Sequence, residues 1–327
     1  MTRRGALVRL LADGEPHPGA ALARGLGATR AELAAELDAL ADWGLAPESV
    51  RYRGYRLPAP VELIDAARLG TALGAAARAR LDRLEVHDEL DSTNAQLLAA
   101  TDLGAGRTRV CIAEYQRAGR GRRGRGWLQP FASGLCLSLA WLFPEPPAAL
   151  GALSLAAGVA TLRALARCGV QGVALKWPND VLKDGGKLGG ILSELRLEAA
   201  GPAYVVIGVG LNVRLPRTLH EALVRAGGMP PADLAGAPAP SRTLLAAALV
   251  DELIAMLVEF EARGFVPFLA EWSAADALRD RLVRVHAADH VQDAIARGVG
   301  ADGALRIEIG KRIETLTSGE VTLRAVA

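Results

Sequence analysis

The stretch KWPNDVLKDGGKLGGILSEL, residues 176–195, decides the fold of the central part of the chain. Its Asp184-Gly185 pair is a hairpin turn signal, which predicts two paired strands, Val181 to Lys183 and Lys187 onward. Such a hairpin needs neighbouring strands to bury its apolar residues, so the stretch indicates a sheet at the centre of the molecule.

Glycines inside the second of these strands indicate a binding surface. Gly189 and Gly190 leave a face without side chains, which suits a backbone pressed against a ligand, and Lys187 is expected to project beside that gap. An ammonium group 4 Å from a phosphate or carboxylate is worth on the order of 4 kcal/mol before desolvation. Glycine kinks beside a solvated lysine are the alternative interpretation.

Segments on both sides of this stretch predict a mixed arrangement of helices and strands. The helical periods are Leu150 to Arg167 and Arg242 to Glu261, and the strand-like segments are Thr108 to Tyr115, Leu135 to Leu142, Val173 to Trp177, Lys187 to Glu198 and Tyr204 to Val213. They interleave without a regular βαβ repeat. We therefore predict an α+β fold in which residues 65–277 form one mixed sheet with helices packed on it.

Residues 1–64 predict a small helical unit. Leucines near the start mark a first helix, Ala20 to Arg24 a second, and Thr29 can cap a third that carries leucines at helical spacing. Gly54 to Leu57 with the arginines before it is typical of a two-stranded wing. Three helices with a tight second turn and a wing resemble a winged helix-turn-helix. At the other end, residues 278–327 contain short, closely spaced strands, which predict a small SH3-like β-barrel.

Composition excludes several classes of protein. The 327 residues carry 38 Lys+Arg and 36 Asp+Glu, a formal charge of +2, which argues against a protein that coats polyanions. No charge-free apolar run of about 18 residues appears, and the first residues do not form a signal peptide, so we expect a cytoplasmic protein without a membrane partner. The three cysteines and five histidines lack the spacing of a fixed metal site, and none is predicted.

The strongest local feature is QRAGRGRRGRGW, Gln116 to Trp127, in which arginine alternates with glycine. Gly119, Gly121 and Gly124 satisfy the dinucleotide-binding pattern, but that pattern requires a helix to begin there, and the following glycines and Pro130 exclude one. A glycine-rich loop with four guanidinium groups can instead wrap a phosphate. An RNA-binding tail of the RGG type is the alternative, although this segment lies between two strands.

Two weaker motifs accompany the loop. Asp91-Ser92-Thr93-Asn94 precedes a helical segment and, taken alone, is an N-cap worth about 1 kcal/mol. The apolar strand ending in Asn212 carries Gly208 and Gly210, for which a β-bulge in a core strand is the simplest interpretation.

Together these motifs resemble the bacterial bifunctional biotin protein ligase and biotin operon repressor family. The resemblance covers almost the whole chain and runs in the family's order: the helix-turn-helix, D-S-T-N, Q-x-A-G-R-G-R-R-G-R, K-W-P-N-D, K-L-x-G-I-L, G-x-G-x-N and a small C-terminal barrel. It implies a central domain of the biotin/lipoate ligase, class II synthetase-like type. It also implies that biotin and MgATP react to biotinyl-5′-adenylate, from which biotin passes to a lysine of a biotin carboxyl carrier protein.

The resemblance also implies site residues. ATP with Mg²⁺ would be the cosubstrate and biotin the substrate, without a permanently bound cofactor. The catalytic residues would be Lys187, Arg120, Arg122 and Asp180, with Asp180 accepting a proton from the acceptor lysine or orienting it. The biotin site would comprise Ser92, Thr93, Asn94, Gln116, Arg120, Gly121, Arg122, Lys187, Gly190 and Gly208. The ATP site would comprise Arg120, Arg122, Arg123, Arg125, Trp127, Asn179, Lys187, Asn212 and Arg324.

Operator DNA and a second copy of the chain are the other partners that the resemblance implies. Thr29, Arg30 and Arg53 are the candidate DNA contacts, but the helix after Thr29 carries three carboxylates against one arginine. Carboxylates facing phosphates repel, so this helix departs from a typical recognition helix. Two alternatives stay open: a lipoate ligase, which uses the same adenylate strategy, and a ligand-sensing DNA-binding regulator without catalysis.

Overall fold

The structure is a computed structural model that describes residues 2–100, 102–147, 149–197, 201–226, 229–236, 239–286, 291–317 and 322–325. Its centre is a seven-stranded sheet in the order β3-β4-β5-β9-β8-β7-β6. The strands are β3 (Leu81–Leu90), β4 (Thr108–Gln116), β5 (Gly134–Phe143), β6 (Val173–Lys176), β7 (Asp180–Lys183), β8 (Gly186–Leu197) and β9 (Ala203–Asn212). β3 and β4 are parallel and the other neighbours are antiparallel, which confirms the predicted mixed sheet.

Helices cover both faces of this sheet. The helices of the central part are α4 (Ala66–Ala72), α5 (Ala75–Arg80), α6 (Thr93–Ala99), α7 (Leu153–Arg167), α8 (Arg217–Arg225), α9 (Arg242–Arg263) and α10 (Leu269–Ala275). The two long helices, α7 and α9, pack on each other and bury the main apolar core against one face. α6 contacts β4, β5 and β9 over a smaller apolar cluster on which Leu97 packs. The other face of the sheet therefore stays open beside α6.

The quoted stretch folds into the predicted hairpin. Asp184 and Gly185 both have positive φ, 49° and 80°, and Lys183 pairs with Gly186 across the turn. Asp-Gly favours these angles because aspartate tolerates and glycine freely adopts them.

The N-terminal unit contains α1 (Arg3–Leu11), α2 (Gly19–Leu26) and α3 (Arg30–Ala39), followed by the antiparallel pair β1 (Glu48–Val50) and β2 (Gly54–Arg56). Thr29 caps α3 as predicted, and Glu32 completes a capping box with it. Two carboxylates of α3 are paired with arginines of α1: Glu32 with Arg3 at 3.1 Å and Glu36 with Arg4 at 3.8 Å.

The C-terminal part contains β10 (Leu282–His286), β11 (Val291–Val299), β12 (Leu305–Ile309), β13 (Arg312–Leu316) and β14 (Thr322–Ala325). They form one antiparallel sheet in the order β13-β12-β11-β10-β14. Trp177 of the central part donates from its Nε1 to the carbonyl of Gly303 at 3.1 Å, so this sheet is fastened to the K-W-P-N-D segment.

Two strands were missed by pattern reading, β3 and β13, together with the shorter helices. β3 reads LDRLEVHDEL, which mixes charged and apolar residues, and it lies at the edge of the sheet, where most of its residues are only partly buried. α6 also begins at Thr93, two residues earlier than expected, so that Thr93 and Asn94 lie in its first turn.

One helical segment in the described part of the chain, Leu150–Arg167, is apolar and long enough to cross a membrane. It contains α7, whose residues from Leu153 to Leu165 are mostly buried against the sheet and α9. It is a core helix of the central domain.

Candidate active site

A cavity of about 590 Å³ opens on the α6 face of the sheet, a volume typical of small-molecule sites. The predicted site residues that line it are Ser92, Thr93, Asn94, Gln116, Arg120, Gly121, Arg122, Arg123, Arg125, Trp127, Asn179, Asp180, Lys187, Gly190 and Gly208. They come from five separate segments of the sequence, and the sheet brings them to one place.

The floor of the cavity is polar and buried. Ser92, Thr93 and Asn94 are each 4% exposed, although they begin a helix at the surface of the sheet. Gln116 Oε1 accepts a hydrogen bond from the backbone N–H of Thr93 at 2.8 Å. Ser138 Oγ lies 2.7 Å from Thr93 Oγ1 and 2.5 Å from Asn94 Oδ1. The short polar side chains therefore hold one another in place and remain available to a ring with donors and acceptors.

Glycines of β9 make room for two side chains of the site. A Cβ on Gly208 would lie 2.2 Å from Asn94 Oδ1, and one on Gly210 would lie 2.6 Å from the Trp127 ring. Gly208 therefore admits the amide and Gly210 the indole.

The paired glycines of β8 differ in role, which corrects the prediction that both leave space for a ligand. A Cβ on Gly189 would lie 2.4 Å from the carbonyl of Gly210, so Gly189 is required by the approach of β9. Gly190 lines the cavity, and its nearest neighbour on that side is the Lys187 side chain at 3.8 Å. Lys187 thus projects beside Gly190 as predicted.

The Arg/Gly loop folds as a short hairpin over the cavity. Arg120 bridges to Gly126, and Trp127 N donates to the Gly119 carbonyl at 2.8 Å. A Cβ on Gly119 would lie 2.4 Å from the Trp127 carbonyl, so this closure requires glycine. The described loop contains one 3-10 turn, Arg122–Gly124, but an α-helix does not begin there and β5 starts only at Gly134, in keeping with the rejection of a dinucleotide fingerprint.

Positive charge is concentrated around the cavity. Its lining contains six basic side chains, the four loop arginines with Lys176 and Lys187, and one carboxylate, Asp180. Burial, reinforced by Arg123 and Arg125, lowers the pKa of the Arg122 guanidinium, while Asp180 opposes the shift. Crowded, partly desolvated cations of this kind favour a polyanionic ligand, because the ligand's charge relieves their repulsion.

Lys187 and Asp180 form the central ion pair. The ammonium Nζ lies 2.6 Å from Asp180 Oδ1, with the two side chains 34% and 20% exposed. Both come from the hairpin: Asp180 is the first residue of β7 and Lys187 the second residue of β8. Asn179, one residue earlier, is fixed by donating to the Ile191 carbonyl at 2.8 Å and lies 3.4 Å from Arg122 Nη1. An amine that enters the cavity would meet a carboxylate already held by a lysine.

Comparison with known proteins identifies the group to which this site belongs. Residues 90–212 match the model of the biotin/lipoate A/B protein ligase family. Over 320 residues the chain is 38% identical to the bifunctional ligase/repressor BirA of Salmonella typhimurium, covering 98% of this chain and 97% of the relative. The chain belongs to the biotin/lipoate A/B protein ligase family. This confirms the resemblance found in the motifs.

Other known proteins match a large part of the chain but not all of it. A biotin--[acetyl-CoA-carboxylase] ligase of Mycobacterium tuberculosis is 40% identical over 247 residues, covering 73% of this chain and 88% of that one. Among solved structures, a biotin protein ligase of Aquifex aeolicus in complex with biotin and ATP superposes with a TM-score of 0.62 at 23% identity. It covers 75% of this chain and all of that chain, which shows a shared fold.

Two predicted nucleotide-site residues are not among the described residues that line the cavity. Asn212, which does not line the described cavity, is 5% exposed, and its side-chain amide donates to the carbonyls of Lys187 and Ala232 at 3.3 and 3.0 Å. It therefore fixes the backbone that carries Lys187. Arg324 lies in β14, paired in register with Arg284, but its side chain falls outside the described part of the structure.

Two polar residues of the site were missed by sequence reasoning. Glu194 accepts from Asn94 Nδ2 at 2.8 Å and lies 3.5 Å from Arg120 Nη1, and Ser138 contacts the first turn of α6. The two-residue period of a strand could have found Glu194, since Gly190, Leu192 and Glu194 share one face of β8.

The site is joined to the N-terminal unit by the segment that follows Trp127. Phe131 and Ala132 are buried in the same apolar cluster as Leu7, Leu11 and Trp43. On the opposite side, Asp88 of β3 accepts hydrogen bonds from Arg9 and from the backbone of Thr2 at 2.8 and 3.1 Å.

The connection between the N-terminal and central parts is also fixed. Glu62 accepts from Ser241 Oγ and the backbone N–H of Arg242 at the start of α9. The buried Arg242 side chain pairs with Glu114 at 2.6 Å, and the other oxygen of Glu114 accepts from the Ile64 backbone. A buried arginine clamp therefore holds the connecting segment against the strand that leads to Gln116.

Proposed function

We propose that this protein is a biotin protein ligase that activates biotin with MgATP and transfers it to a lysine of a biotin carboxyl carrier protein. The observation that carries this is one cavity in which a polar buried floor meets six basic side chains and the Asp180–Lys187 pair. Two relatives that it resembles carry the word ligase in their names, the Salmonella typhimurium ligase/repressor and the Mycobacterium tuberculosis ligase.

The first half-reaction joins two anions. A carboxylate oxygen of biotin attacks the α-phosphorus of ATP, the bond to pyrophosphate breaks, and pyrophosphate leaves. Lys187, Arg120 and Arg122 would stabilise the charge that develops on the phosphoryl and carboxyl oxygens, since such cations act most strongly where water is excluded. Mg²⁺ bound to ATP would neutralise the departing pyrophosphate, and no residue here is assigned to it.

The biotin ring would occupy the polar floor. Ser92, Thr93, Asn94 and Gln116 offer short donors and acceptors that suit a ureido group, and Gly190 and Gly208 leave room for the rings. Gly121 and the arginines on either side of it would close over the carboxylate. The remaining loop arginines, Arg123 and Arg125, together with Trp127 and Asn179, would contact the nucleotide. Asn212 would act through the Lys187 backbone, and Arg324 is retained as a nucleotide contact.

The second half-reaction transfers biotin to the carrier. The amine of the acceptor lysine attacks the carbonyl carbon of the mixed anhydride, AMP leaves, and the attacking nitrogen loses a proton. Asp180 would receive that proton or orient the amine, since it lies in the cavity beside Lys187. A cytoplasmic location would place the enzyme with its acceptor.

An assay of both half-reactions tests this function. The protein is incubated with MgATP and either biotin or lipoate, pyrophosphate release is followed, and labelling of an acceptor domain is then measured. Release with biotin and labelling of a biotin carrier domain are expected. Release with lipoate alone would establish the lipoate ligase, and release with neither would leave a regulator without catalysis.

A second function, biotin-responsive repression, is favoured by the N-terminal unit. Its helices α1 to α3 and the pair β1 and β2 have the order of a winged helix-turn-helix, and Tyr52 at the tip of the wing is 91% exposed between two arginines. The pairing of Glu32 with Arg3 reduces the repulsion that the carboxylates of α3 would exert on phosphates. Thr29, Arg30 and Arg53 would contact operator DNA, bound by a homodimer.

Three domains follow from this proposal: residues 1–64 as the winged helix-turn-helix, 65–277 as the ligase domain and 278–327 as the SH3-like domain. A gel shift with DNA from upstream of the biotin genes of the source organism, with and without biotin and MgATP, tests repression. A shift that requires both ligands is expected, and no shift at low salt would exclude a repressor.

A further inference from the structure

A mixed cluster of a thiol, an imidazole and a carboxylate lies on β3 and β4, separate from the residues that line the cavity. A ligand atom of Cys111, one of His87 and one of Glu85 all lie within 4.8 Å of one another. The register explains this, because β3 and β4 are parallel with Glu85 beside Cys111. His87 follows two residues after Glu85 and therefore points to the same side of the sheet.

The carboxylate of this cluster is already oriented. Glu85 Oε1 lies 2.7 Å from Arg83 Nε, and Glu85 Oε2 lies 3.3 Å from His87 Nε2. Arg83 thus holds one oxygen of the Glu85 carboxylate, while the other oxygen faces the His87 imidazole. An outer partner that fixes a ligand in this way is typical of metal sites. Arg83 is 69% exposed, so its charge is largely screened by water.

The thiol lacks a role in the ligase mechanism. Cys111 is fully buried, and its sulfur lies beside the Glu85 carboxylate and the His87 imidazole. A divalent cation at this position would offset the cost of burying a thiolate next to a carboxylate, because it supplies the opposite charge.

We propose that Glu85, His87 and Cys111 bind one divalent transition-metal ion of the zinc class, with water in the fourth position. Thiolate and imidazole ligands select such ions over Mg²⁺ and Ca²⁺. Tetrahedral coordination at about 2.0 to 2.3 Å separates ligand atoms by roughly 3.3 to 3.8 Å, so small rotations of the side chains suffice. On binding, the Cys111 S–H bond breaks, the proton passes to water, and sulfur bonds to the metal.

The position of the cluster gives the metal a structural consequence. β3 is the edge strand of the sheet and is paired only with β4 among the described strands. An ion bound by Glu85 and His87 on one strand and Cys111 on the other would fasten this edge. Asp88, which anchors the N-terminal unit through Arg9, lies one residue beyond His87. The metal would therefore also steady the docking of that unit.

Co²⁺ is the probe that tests the site, because its thiolate charge-transfer absorption reports a cysteine ligand directly. The metal-free full-length protein is titrated with Co²⁺, and Zn²⁺ is then added. We expect the absorption to saturate at one equivalent, to be abolished by Zn²⁺, and to be lost in Cys111→Ser. His87→Gln and Glu85→Gln, which change partly exposed residues, should each weaken apparent affinity about 10-fold or more.

Matched controls separate this site from adventitious binding. Cys168→Ser and His220→Gln remove a thiol and an imidazole elsewhere and should leave the titration unchanged. The proposal is wrong if no charge-transfer absorption develops, if Cys168→Ser abolishes it, or if His87→Gln binds Co²⁺ as tightly as the unchanged protein. Because the His87 and Glu85 variants do not alter the core, they decide the matter even if Cys111→Ser fails to fold.

Discussion

The indole of Trp43 and the ring of Phe131 stack with their centroids 4.3 Å apart and their planes 7° from parallel. Trp43 is buried in the core of the N-terminal unit, whereas Phe131 lies four residues after Trp127, the residue that ends the Arg/Gly loop. The backbone N–H of Phe131 also donates to the Trp43 carbonyl at 2.8 Å. The segment that follows the Arg/Gly loop is therefore built into the N-terminal core.

Phe131→Ala should separate the N-terminal unit from the central part. Removing a buried phenyl ring costs about 3 to 5 kcal/mol, so we expect the free energy of unfolding to fall by this order and proteolysis between residues 58 and 65 to accelerate. Leu128→Ala, on the same segment, removes a side chain that is 66% exposed and is the control. Equal stability of the two variants would show that the stack does not hold the units together.

Lys187→Ala should slow adenylate formation by roughly 100-fold or more, because it removes a cation that is proposed to stabilise the charge developing on the phosphoryl and carboxyl oxygens. The control is Lys183→Ala, in the same hairpin, where the lysine pairs with Asp184 at the turn. Single-turnover pyrophosphate release measures both. Near-normal release by the Lys187 variant would remove this residue from the mechanism.

Gly210→Ala should weaken ATP binding more than biotin binding. The added methyl group would lie 2.6 Å from the Trp127 ring and must displace it, while Gly208, beside Asn94, is unchanged. We expect KM for ATP to rise several-fold and Trp fluorescence to change. Gly70→Ala, where nothing lies within 4 Å of the new carbon, is the control for a glycine replacement as such. An equal rise in KM for ATP and for biotin would contradict the proposal that Trp127 contacts the nucleotide.

Asp276→Asn should raise stability in alkaline but not in acidic solution. Burial raises the pKa of Asp276 to about 6, and its Oδ2 is buried without a hydrogen bond among the described residues. The pKa of Asp276 is higher in the folded state than in the unfolded chain. Its favourable contribution to the free energy of unfolding is therefore complete below about pH 4 and is lost as the pH rises through 6. At pH 8 the free energy of unfolding of the variant should exceed that of the unchanged protein by on the order of 1 to 3 kcal/mol.

Thermal unfolding between pH 4 and 8 measures this difference. Asp102→Asn is a control of opposite sign, because hydrogen bonding to Arg109 lowers the pKa of Asp102. That ion pair stabilises the folded state at pH values above the ordinary pKa of aspartate, and this stabilisation is lost as the pH falls. A Tm difference between Asp276→Asn and the unchanged protein that does not depend on pH would show that Asp276 is not desolvated.

Much of the fold could be read from the sequence because its determinants are local. The Asp184-Gly185 turn, the Thr29 cap and the two long helices each follow from a few neighbouring residues whose backbone preferences agree with the final structure. The edge strand β3 could not be read in this way, because its alternating charges acquire meaning only beside β4.

The same distinction between local and long-range determinants applies to the residues of the site. By itself, the sequence predicted which residues carry the chemistry: the arginine loop, Lys187 and the short polar residues at the start of α6 are motifs whose residue types suit anionic and ureido ligands. Only the tertiary structure decided that Gly189 serves strand packing, that Asn212 holds the Lys187 backbone, and that Glu194 and Ser138 complete the floor. The physical reason is that these roles depend on contacts between strands distant in sequence, which the pairing register sets.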